Sequence, residues 1–362
     1  MGRFPNRTQD VCVVIMAGGR GTRFWPRSRA SSPKQFLDIV GTDTMIRLTC
    51  DRIGVLVPPE AVYVVTNADY REKVATQLPE LPAKNILTEP AVRSTAPCIG
   101  LAALHIRRDH PDAVMVVLPA DHHIPDRAVF LQSLSTAIET ARRTHALVTI
   151  GIEPSYPETG YGYIEVGETT GEGIHRVSGF REKPDRDTAA RFVASGRHLW
   201  NTGMFIWPAS IILENMARHA PEIYRGLEAF APHIGQPDEW TQLERIYSVF
   251  PSRSIDHAVM EHARDVYVIR GRFGWSDVGS WSAVEPFWDK DENGNALRGK
   301  AISIDSRQTI SASDGRLIAL VGVENLIVID TPDAVLICRK DRDQDIKKII
   351  EALEQRGMTE YL

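Results

Sequence analysis

A short apolar run that ends in a glycine-rich loop constrains this sequence more than any other feature. The run is Val11–Met16, and the loop that follows it contains Gly18, Gly19 and Gly21. Because glycine takes positive φ at little cost, these three residues let the backbone turn its N–H groups toward one point. The basic residues that follow are Arg20, Arg23 and Lys34. Converging amides and fixed positive charge predict a binding site for a polyphosphate.

The loop differs from the two common phosphate-binding signatures. A Walker A loop ends in glycine, lysine and serine or threonine, whereas Gly21 is followed by Thr22 and Arg23. A dinucleotide-binding fingerprint requires a third glycine at the position that Phe24 occupies. A flexible turn with surface arginines therefore stays an alternative, although the fixed φ of Pro26 argues against mere flexibility.

Length and composition indicate an ordinary globular protein. With 362 residues the chain exceeds a comfortable single core, so we expect one large domain and a smaller one. The net charge of −5 argues against a nucleic-acid partner held by bulk electrostatics. The four cysteines are scattered, which disfavours a disulfide framework or a zinc site. Because the sequence shows neither a signal peptide nor a membrane span, we expect a cytoplasmic protein with no membrane partner.

Apolar runs and amphipathic segments alternate along the first part of the chain. The apolar runs predict buried strands at Val11–Met16, Ala61–Thr66, Ala113–Leu118 and Ala146–Ile150. The segments between them predict helices at Thr44–Ile53, Asp69–Gln77, Ala96–Arg108 and Val129–Arg143. This alternation predicts a doubly wound α/β fold with a mixed, mainly parallel sheet, in which ligands bind beyond the carboxyl ends of the strands.

The pattern changes in the middle of the chain and again near its end. Further strands are predicted at Tyr163–Val166, Ile174–Phe180, Gly203–Trp207 and Val266–Arg270, and we interpret them as an insertion into and continuation of the same sheet. Helices are predicted at Ile211–His219 and Trp240–Val249. Short β runs recur after Asp289 and indicate a small β-solenoid or a meander, followed by an amphipathic helix at Asp343–Gln355. We therefore place one domain at residues 1–288 and a C-terminal β-rich segment at 289–362, which we expect to join two copies as a homodimer.

Two isolated acids are candidate ligands of a Mg²⁺ ion. Asp121 follows a predicted strand, and Asp277 lies in the segment Gly274–Gly279. Hard cations prefer oxygen ligands and bridge to substrate phosphates, so two carboxylates and a triphosphate would complete an octahedral site. Asp121 alone is equally well explained as a turn or N-cap residue. The neighbouring His122 and His123 would point to opposite sides of an extended strand, which disfavours zinc.

A second group of polar residues suits a sugar phosphate. Glu182 and Lys183 follow a predicted strand, where they could hold sugar hydroxyls and a phosphate or form an ordinary exposed ion pair. The amide of Asn201 can both donate to and accept from a polyol. Asp256 lies in a predicted helix at Ser254–Glu261, where a carboxylate in the first turn is also explained by the helix dipole.

Several motifs together resemble the signature of the sugar-1-phosphate nucleotidylyltransferases. They are the glycine loop with Pro26 and Lys34-Gln35-Phe36, Leu118–His122, Phe180–Pro184 and Trp200–Phe205. Two further segments, Ser254–Glu261 and Trp275–Trp281, are similar to the mannose-1-phosphate guanylyltransferase branch of that family. The resemblance runs through essentially the whole chain in the same order, and it implies a Rossmann-like nucleotidyltransferase fold.

The resemblance implies a role for each matched residue. The residues implied to hold the nucleotide are Ala17, Gly18, Gly19, Gly21, Thr22, Glu89, Thr95, Pro119 and Ala120. Arg23 is implied to bind the GTP phosphates and Lys34 to stabilise charge near the reacting phosphorus. The residues implied to hold the sugar phosphate are Gly162, Glu182, Lys183 and Asn201, and those implied to hold Mg²⁺ are Asp121 and Asp277. Ser94 stands where relatives commonly carry asparagine, so a base contact from that side chain is not implied.

The implied reaction joins GTP and mannose 1-phosphate into GDP-mannose and pyrophosphate. The second pKa of a phosphate monoester is about 6, so the sugar phosphate is already a nucleophile and no general base is required. Many relatives continue into a cupin-like isomerase domain, and since this sequence stops at Leu362 we expect no isomerase activity. The alternatives are an enzyme that uses another base or sugar and a catalytically inactive regulatory homologue.

Overall fold

The computed structural model describes residues 10–19 and 21–362, which divide into two units. The first unit comprises residues 10–18, Cys50–Ala120 and Ile124–Trp275. The second unit comprises the described residues of Gly19–Thr49 together with Asp121–His123 and Ser276–Leu362. The domain boundary expected between residues 288 and 289 stays a prediction.

A mixed β-sheet forms the centre of the first unit. Its strands in chain order are β1 (Val11–Met16), β2 (Val62–Asn67), β3 (Ile86–Glu89), β4 (Val114–Pro119), β5 (Leu147–Ile152), β6 (Tyr163–Gly171), β7 (Ile174–Arg181), β8 (His198–Pro208) and β9 (Val266–Gly271). Their order across the sheet is β3-β2-β1-β4-β8-β5-β9-β7-β6. Among these described strands, only β7 and β8 run against the others, which confirms the predicted mixed, mainly parallel sheet.

Helices alternate with the strands along the chain as predicted, and two further helices were not predicted. Up to residue 249 the helices are α1 (Met45–Ile53), α2 (Arg71–Gln77), α3 (Thr95–Asp109), α4 (Arg127–Thr144), α5 (Arg186–Ser195), α6 (Ala209–His219), α7 (Pro221–Phe230) and α8 (Glu239–Val249). Helices α5 and α7 were not predicted, and α5 begins where the Asp185 carboxylate accepts a hydrogen bond from Thr188 N at 2.8 Å. No helix formed by the described residues is long and apolar enough to cross a membrane.

Strand β8 positions much of the polar chemistry of the first unit. It lies between β4 and β5 and runs antiparallel to both, and its register shifts between Thr149 and Gly151 of β5. The strand is buried along almost its whole length, so polar side chains on it need partners inside the protein. The middle of the chain therefore does continue the first sheet, as the sequence predicts.

The C-terminal strands of the second unit form a solenoid. They are β10 (Ala296–Arg298), β11 (Ala301–Ile304), β12 (Ile310–Ser313), β13 (Ile318–Val321), β14 (Leu326–Asp330) and β15 (Val335–Arg339). Strands β10, β12 and β14 pair in parallel, as do β11 and β13, so the chain winds through successive coils. A meander would pair its neighbours antiparallel, a pattern found among the described strands β10 to β15 only where β15 closes on β14.

The last helix, α9 (Ile346–Gln355), packs onto the apolar core of the second unit. This core includes Phe24 and Trp25 from the glycine-loop segment and Trp281 from the middle of the chain. The indole N–H of Trp281 donates to Trp25 O at 3.2 Å, and that of Trp25 donates to Tyr361 O at 2.8 Å. The core thus joins the glycine-loop segment, the Trp281 segment and the end of the chain into one packed body.

Candidate active site

A cavity of about 280 Å³ lies within the second unit, and several of the predicted charged site residues line it. The predicted residues that line it are Gly21, Thr22, Arg23, Lys34, Asp121 and Asp277. The other lining residues are Phe24, His122, Gly279 and Lys347. We call this space the Lys34 cavity. Arg20, also predicted to add positive charge, lies outside the described residues.

Two distant segments of the chain meet at the Lys34 cavity through a short antiparallel bridge. His123 N donates to Ser276 O at 2.9 Å, and Ser276 N donates to His123 O at 3.1 Å. This bridge aligns the segment that carries Asp121 with the segment that carries Asp277. His122 lines the cavity, while the ring of His123 lies against Phe287 with a centroid distance of 4.1 Å.

Gly21 is the residue of the loop that cannot carry a side chain. Of the loop glycines that the structure describes, only Gly21 has a positive φ, at +59°, so the freedom that glycine allows is used there and not at Gly18 or Gly19. A Cβ on Gly21 would lie 2.3 Å from the Cβ of Lys34, far inside contact distance. The sharp turn is needed only here, where the short helix Thr22–Phe24 begins beside Lys34.

At Gly19, a Cβ would meet no described atom within 4 Å, which leaves the backbone open to a ligand.

Lys34 is buried and held by two oxygen atoms. Its Nζ lies 2.8 Å from Asp121 Oδ2 and donates to Asp277 O at 2.6 Å, and its side chain is 5% exposed. A buried ammonium requires such partners. Burial by itself would raise the pKa of Asp121, but the charges of Lys34 and His122 and the hydrogen bond from Lys34 outweigh it, so the pKa is lowered. Asp121 is therefore ionised at neutral pH.

The two carboxylates of the Lys34 cavity have the chemistry of a magnesium site that needs a substrate to complete it. Within residues 10–19 and 21–362, no group of three or more His, Cys, Asp and Glu side chains could hold a metal ion. Asp121 and Asp277 nevertheless line one cavity and offer hard oxygen donors, which suit an ion that keeps several waters and binds substrate phosphates. The donor set fits Mg²⁺ bound together with a nucleotide.

Two further features of the Lys34 cavity are costly to the fold. Val278, next to Asp277, is a β-branched residue at a φ of +46°, which is an outlier for such a side chain. Its N–H donates to Ser276 Oγ at 3.0 Å and its side chain is buried. Within the part of the chain that the structure describes, Arg23 Nε is buried without a hydrogen-bond partner. Both features cost stability, and strained backbone of this kind clusters at functional sites.

A second group of polar side chains lies in the first unit. We call Gly162, Glu182, Lys183, Asn201 and Asp256 the Asn201 cluster. Asn201 Nδ2 donates to Asp256 Oδ1 at 2.8 Å, while Asn201 Oδ1 accepts from Gly203 N at 3.1 Å. A Cβ on Gly162 would lie 2.5 Å from Glu182 Oε2 and 3.5 Å from Asn201 Nδ2, so all three residues meet at one point.

Asp256 is a perturbed acid of the Asn201 cluster. Burial and the charge of Glu182 together raise the pKa of Asp256 to about 6, against the hydrogen bond from Asn201 and the charge of Lys183. Lys183 Nζ lies 2.9 Å from Glu182 Oε1 and is well exposed, at a φ of +43°. Asp256 lies on a π-helical turn, Asp256–Met260, shorter than the helix predicted at Ser254–Glu261.

The sequence matches two known families along its length. The nucleotidyl transferase family matches residues 12–293. The MannoseP isomerase/GMP-like beta-helix domain matches residues 299–353, in agreement with the parallel coils of β10–β14.

Relatives match nearly the whole chain. A mannose-1-phosphate guanylyltransferase of Escherichia coli is 42% identical over 354 residues, which are 96% of this chain and 75% of that protein. The chain belongs to the mannose-1-phosphate guanylyltransferase family. The xanthan biosynthesis protein XanB of Xanthomonas campestris is also 42% identical, over 97% of this chain and 75% of that protein. A crystal structure from Thermus thermophilus, named a mannose-1-phosphate geranyltransferase, has a TM-score of 0.86 and 34% identity, over 95% of this chain and 99% of that chain.

The remaining residues implied by the family resemblance do not line the Lys34 cavity. Those in the first unit are Ala17, Gly18, Glu89, Thr95, Pro119 and Ala120, and Gly19 belongs to the second unit. Ala17, Glu89 and Pro119 lie at the carboxyl ends of the parallel strands β1, β3 and β4, the edge where ligands of such sheets bind. Thr95 Oγ1 accepts a hydrogen bond from Ile255 N at 2.8 Å, which ties the start of α3 to the segment before Asp256.

Glu89 is the most perturbed acid among these residues. Burial raises its pKa to about 8, although hydrogen bonds from Tyr247 and Cys98 act in the opposite direction. Tyr247 Oη donates to Glu89 Oε1 at 3.1 Å. A Cβ on Gly18 would lie 3.5 Å from Glu89 Oε2, so this carboxyl faces the start of the glycine loop.

Two residues of this family member were missed or left without a role by the sequence analysis. Lys347 lines the Lys34 cavity from α9, a helix that the amphipathic pattern explained by its apolar face alone. Asp256 was explained equally well as a dipole partner, and its bond to Asn201 joins residues 55 positions apart. A lysine beside an apolar helix stripe carries no signal of its own, so neither contact could be found without the fold.

Proposed function

We propose that this chain transfers GMP from GTP to α-D-mannose 1-phosphate, giving GDP-mannose and pyrophosphate. The observation that carries the proposal is the Lys34 cavity, in which a buried lysine is held between an ionised carboxylate and a backbone oxygen beside Arg23 and the turn at Gly21. Membership of the mannose-1-phosphate guanylyltransferase family supports the choice of substrates.

The nucleotide phosphates belong in the Lys34 cavity on grounds of charge. Arg23 and Lys34 offer fixed positive charge, and the loop offers amides near an open stretch of backbone at Gly19. Preorganised donors of this kind stabilise charge that develops during reaction without having to reorganise. Asp121 and Asp277 would hold the Mg²⁺ ion, which when bound neutralises phosphate charge and orients the reacting oxygens.

The reaction needs positioning and charge stabilisation more than proton transfer. The phosphate of mannose 1-phosphate has a second pKa of about 6 and is already largely dianionic at neutral pH. One of its oxygens attacks the α-phosphorus of GTP in line with the departing pyrophosphate. Lys34 stabilises the charge near that phosphorus, while Arg23 holds the phosphates that leave. Since no residue is required to remove a proton, a histidine or cysteine base has no place in this mechanism.

The Asn201 cluster supplies the groups that a hexose phosphate needs. Glu182 accepts hydrogen bonds from sugar hydroxyls, and the amide of Asn201 can donate to another. Lys183, exposed and ion-paired to Glu182, offers a cation to the phosphate. Gly162 leaves room for the Glu182 carboxylate, because a Cβ on Gly162 would lie 2.5 Å from Glu182 Oε2.

Guanine recognition is assigned to the buried edge around Glu89. The carboxyl of Glu89 is an acceptor beside the glycine loop, and the exocyclic amine of guanine is a donor that adenine lacks at that position. We further propose a homodimer joined through residues 289–362 and a cytoplasmic location.

Pyrophosphate release tests this function. Purified protein is incubated with Mg²⁺, one nucleoside triphosphate from a panel and one hexose 1-phosphate, with mannose 1-phosphate and glucose 1-phosphate compared. We expect release with GTP and mannose 1-phosphate at least about tenfold faster than with any other pair, a ratio that buried polar recognition readily supplies. Preference for another base or sugar would reassign the substrates, and no release with any pair would favour a regulatory homologue.

A further inference from the structure

The C-terminal helix contributes a cation to the Lys34 cavity. Lys347 lies in the first turn of α9, its side chain is exposed, and it lines the cavity together with Arg23 and Lys34. From its sequence pattern, this helix is expected only to pack against the core or to contact a second copy. Because Lys347 lines the cavity, the helix also forms part of the cavity wall.

The apolar face of α9 fixes where Lys347 lies. Ile346, next to it in sequence, is 2% exposed and belongs to the same core as Phe24 and Trp25. Ile350 and Leu353, at helical spacing from Ile346, pack against that core as well. Because Phe24 also lines the cavity, the helix is packed on the wall of the cavity itself, and the residue beside Ile346 is brought to its rim.

Hydrogen bonds hold both ends of this helical segment in place. Before α9, the buried carboxylate of Asp343 accepts from Ser282 N at 3.2 Å, five residues after Asp277. After α9, Tyr361 O accepts from Trp25 Nε1 at 2.8 Å and from Arg29 Nη1 at 2.7 Å. The helix is thus tied to the segments that follow Asp277 and Arg23, so the position of Lys347 is set by the same packing that forms the cavity.

The charged residues that line the cavity indicate what Lys347 does there. Among the described lining residues, Arg23, Lys34 and Lys347 carry fixed positive charge, and Asp121 and Asp277 are acids. Lys34 is already paired with Asp121. Of the described lining residues other than Lys347, two carry fixed positive charge and two are acids, so Lys347 gives this lining an excess of fixed positive charge, which favours a polyanion. A lysine ammonium on a flexible stem is a common ligand of phosphate.

We propose that Lys347 binds the polyphosphate of the nucleotide and the pyrophosphate released from it, which makes the C-terminal helix part of the phosphate-binding site. The assignment rests on the proposed function for its natural ligand. It extends that function by giving the segment after residue 289 a direct part in binding substrate, beyond any role in joining two copies.

Lys347→Ala tests this role against a neighbouring lysine. The matched control is Lys348→Ala, because Lys348 is 73% exposed, pairs with Asp345 at 2.7 Å and does not line the cavity. Loss of one charge-assisted contact at an exposed lysine predicts that the KM for GTP rises about tenfold in Lys347→Ala. The KM for mannose 1-phosphate and the melting temperature should match those of Lys348→Ala, and Lys347→Arg should restore most of the affinity for GTP.

Binding of inorganic pyrophosphate separates this inference from the function as a whole. Isothermal calorimetry in magnesium-containing buffer should show about tenfold weaker pyrophosphate binding by Lys347→Ala than by the wild type or Lys348→Ala. Equal affinities for Lys347→Ala and Lys348→Ala, or no pyrophosphate binding by the wild type, would overturn the role of Lys347. A wild type that binds pyrophosphate through Lys347 but forms no GDP-mannose would overturn the proposed function and leave this inference standing.

Discussion

The Lys34 cavity and the Asn201 cluster differ in how they are built and in the substrate groups that they suit. The cavity is assembled from segments far apart in sequence, and full charges dominate it, with Lys34 buried against Asp121. The cluster is built on strands and a short turn of the first unit, and shared hydrogen bonds dominate it, with Asn201 fixed between Asp256 and Gly203. A site of fixed charges suits a reaction that moves charge between phosphates. A site of oriented amide and carboxyl groups suits the hydroxyls of a sugar.

This difference predicts opposite kinetic signatures for the two sites, and Lys34→Ala should produce the largest effect. Removing the buried ammonium leaves Asp121 without its ion pair and removes positive charge from the reacting phosphorus. We expect kcat to fall by about 10³-fold, as for other preorganised charge-stabilising groups. Steady-state kinetics and circular dichroism measure the effect, with the exposed Lys300→Ala as the matched control. Near wild-type turnover in folded Lys34→Ala would end the charge-stabilisation account of the cavity.

Gly21→Ala should come next, because it damages the geometry of the Lys34 cavity while keeping its charges. The new Cβ would lie 2.3 Å from Lys34 Cβ at a φ of +59°. The left-handed conformation alone costs a non-glycine residue about 1–2 kcal/mol, and displacement of Lys34 should lower kcat as well. Gly54→Ala is the control, since its Cβ would meet only ordinary contacts at 3.7 Å. Equal stability and turnover in the two variants would show that Lys34 does not depend on the turn.

Asp256→Ala should produce the signature of the Asn201 cluster, a change in KM rather than in kcat. Asn201 Nδ2 would lose its acceptor, and the amide could then rotate away from the sugar. We expect the KM for mannose 1-phosphate to rise about tenfold while kcat and the KM for GTP change little, in line with the loss of one hydrogen bond to a charged group. Asp256→Asn keeps an oxygen acceptor and should lose less. A fall in kcat with an unchanged KM for mannose 1-phosphate would place Asp256 with the charged site instead.

Glu89→Gln should have the smallest effect, and it concerns stability at different pH values. The pKa of Glu89 is raised to about 8 in the folded protein, from 4.5 as the ordinary value. The folded state therefore keeps a proton that the unfolded state loses, and the wild type should lose stability as pH rises from about 4.5 through 8. Melting curves at pH 6 and pH 8.5 should show the wild type losing about 2–4 °C more than Glu89→Gln over this interval. An equal loss in both proteins would show that Glu89 is ionised in the folded state.

Much of the first unit could be predicted from the sequence because burial leaves a strong pattern there. The run Val11–Met16 forms β1 with the predicted bounds, since a strand covered on both faces must be continuously apolar. The position of β8 between β4 and β5 could not be predicted, because no local pattern records which strands become neighbours. The same limit applies to the C-terminal strands, where solenoid and meander differ only in pairing.

The candidate site likewise has features that could be predicted from the sequence and features that could not. Asp121 and Asp277 stand out because each interrupts an apolar or glycine-rich stretch, and Lys34 stands out as a lysine shortly after the glycine loop. Their meeting depends on the bridge between His123 and Ser276, which joins residues 153 positions apart by backbone atoms that carry no sequence signal. Lys347 was missed for the same reason, since its place at the cavity follows from the packing of its neighbour Ile346.

The fate of the α-phosphorus tests the central claim most directly. The account describes one in-line displacement by the sugar phosphate, assisted by fixed charges and without a protein nucleophile. The measurement uses GTP made chiral at the α-phosphorus with sulfur and follows the configuration of that phosphorus in the GDP-mannose analogue formed with mannose 1-phosphate. The account predicts inversion of configuration with all of the α-phosphorus in the sugar nucleotide. Retention would require two displacements through a covalent enzyme intermediate and would contradict it.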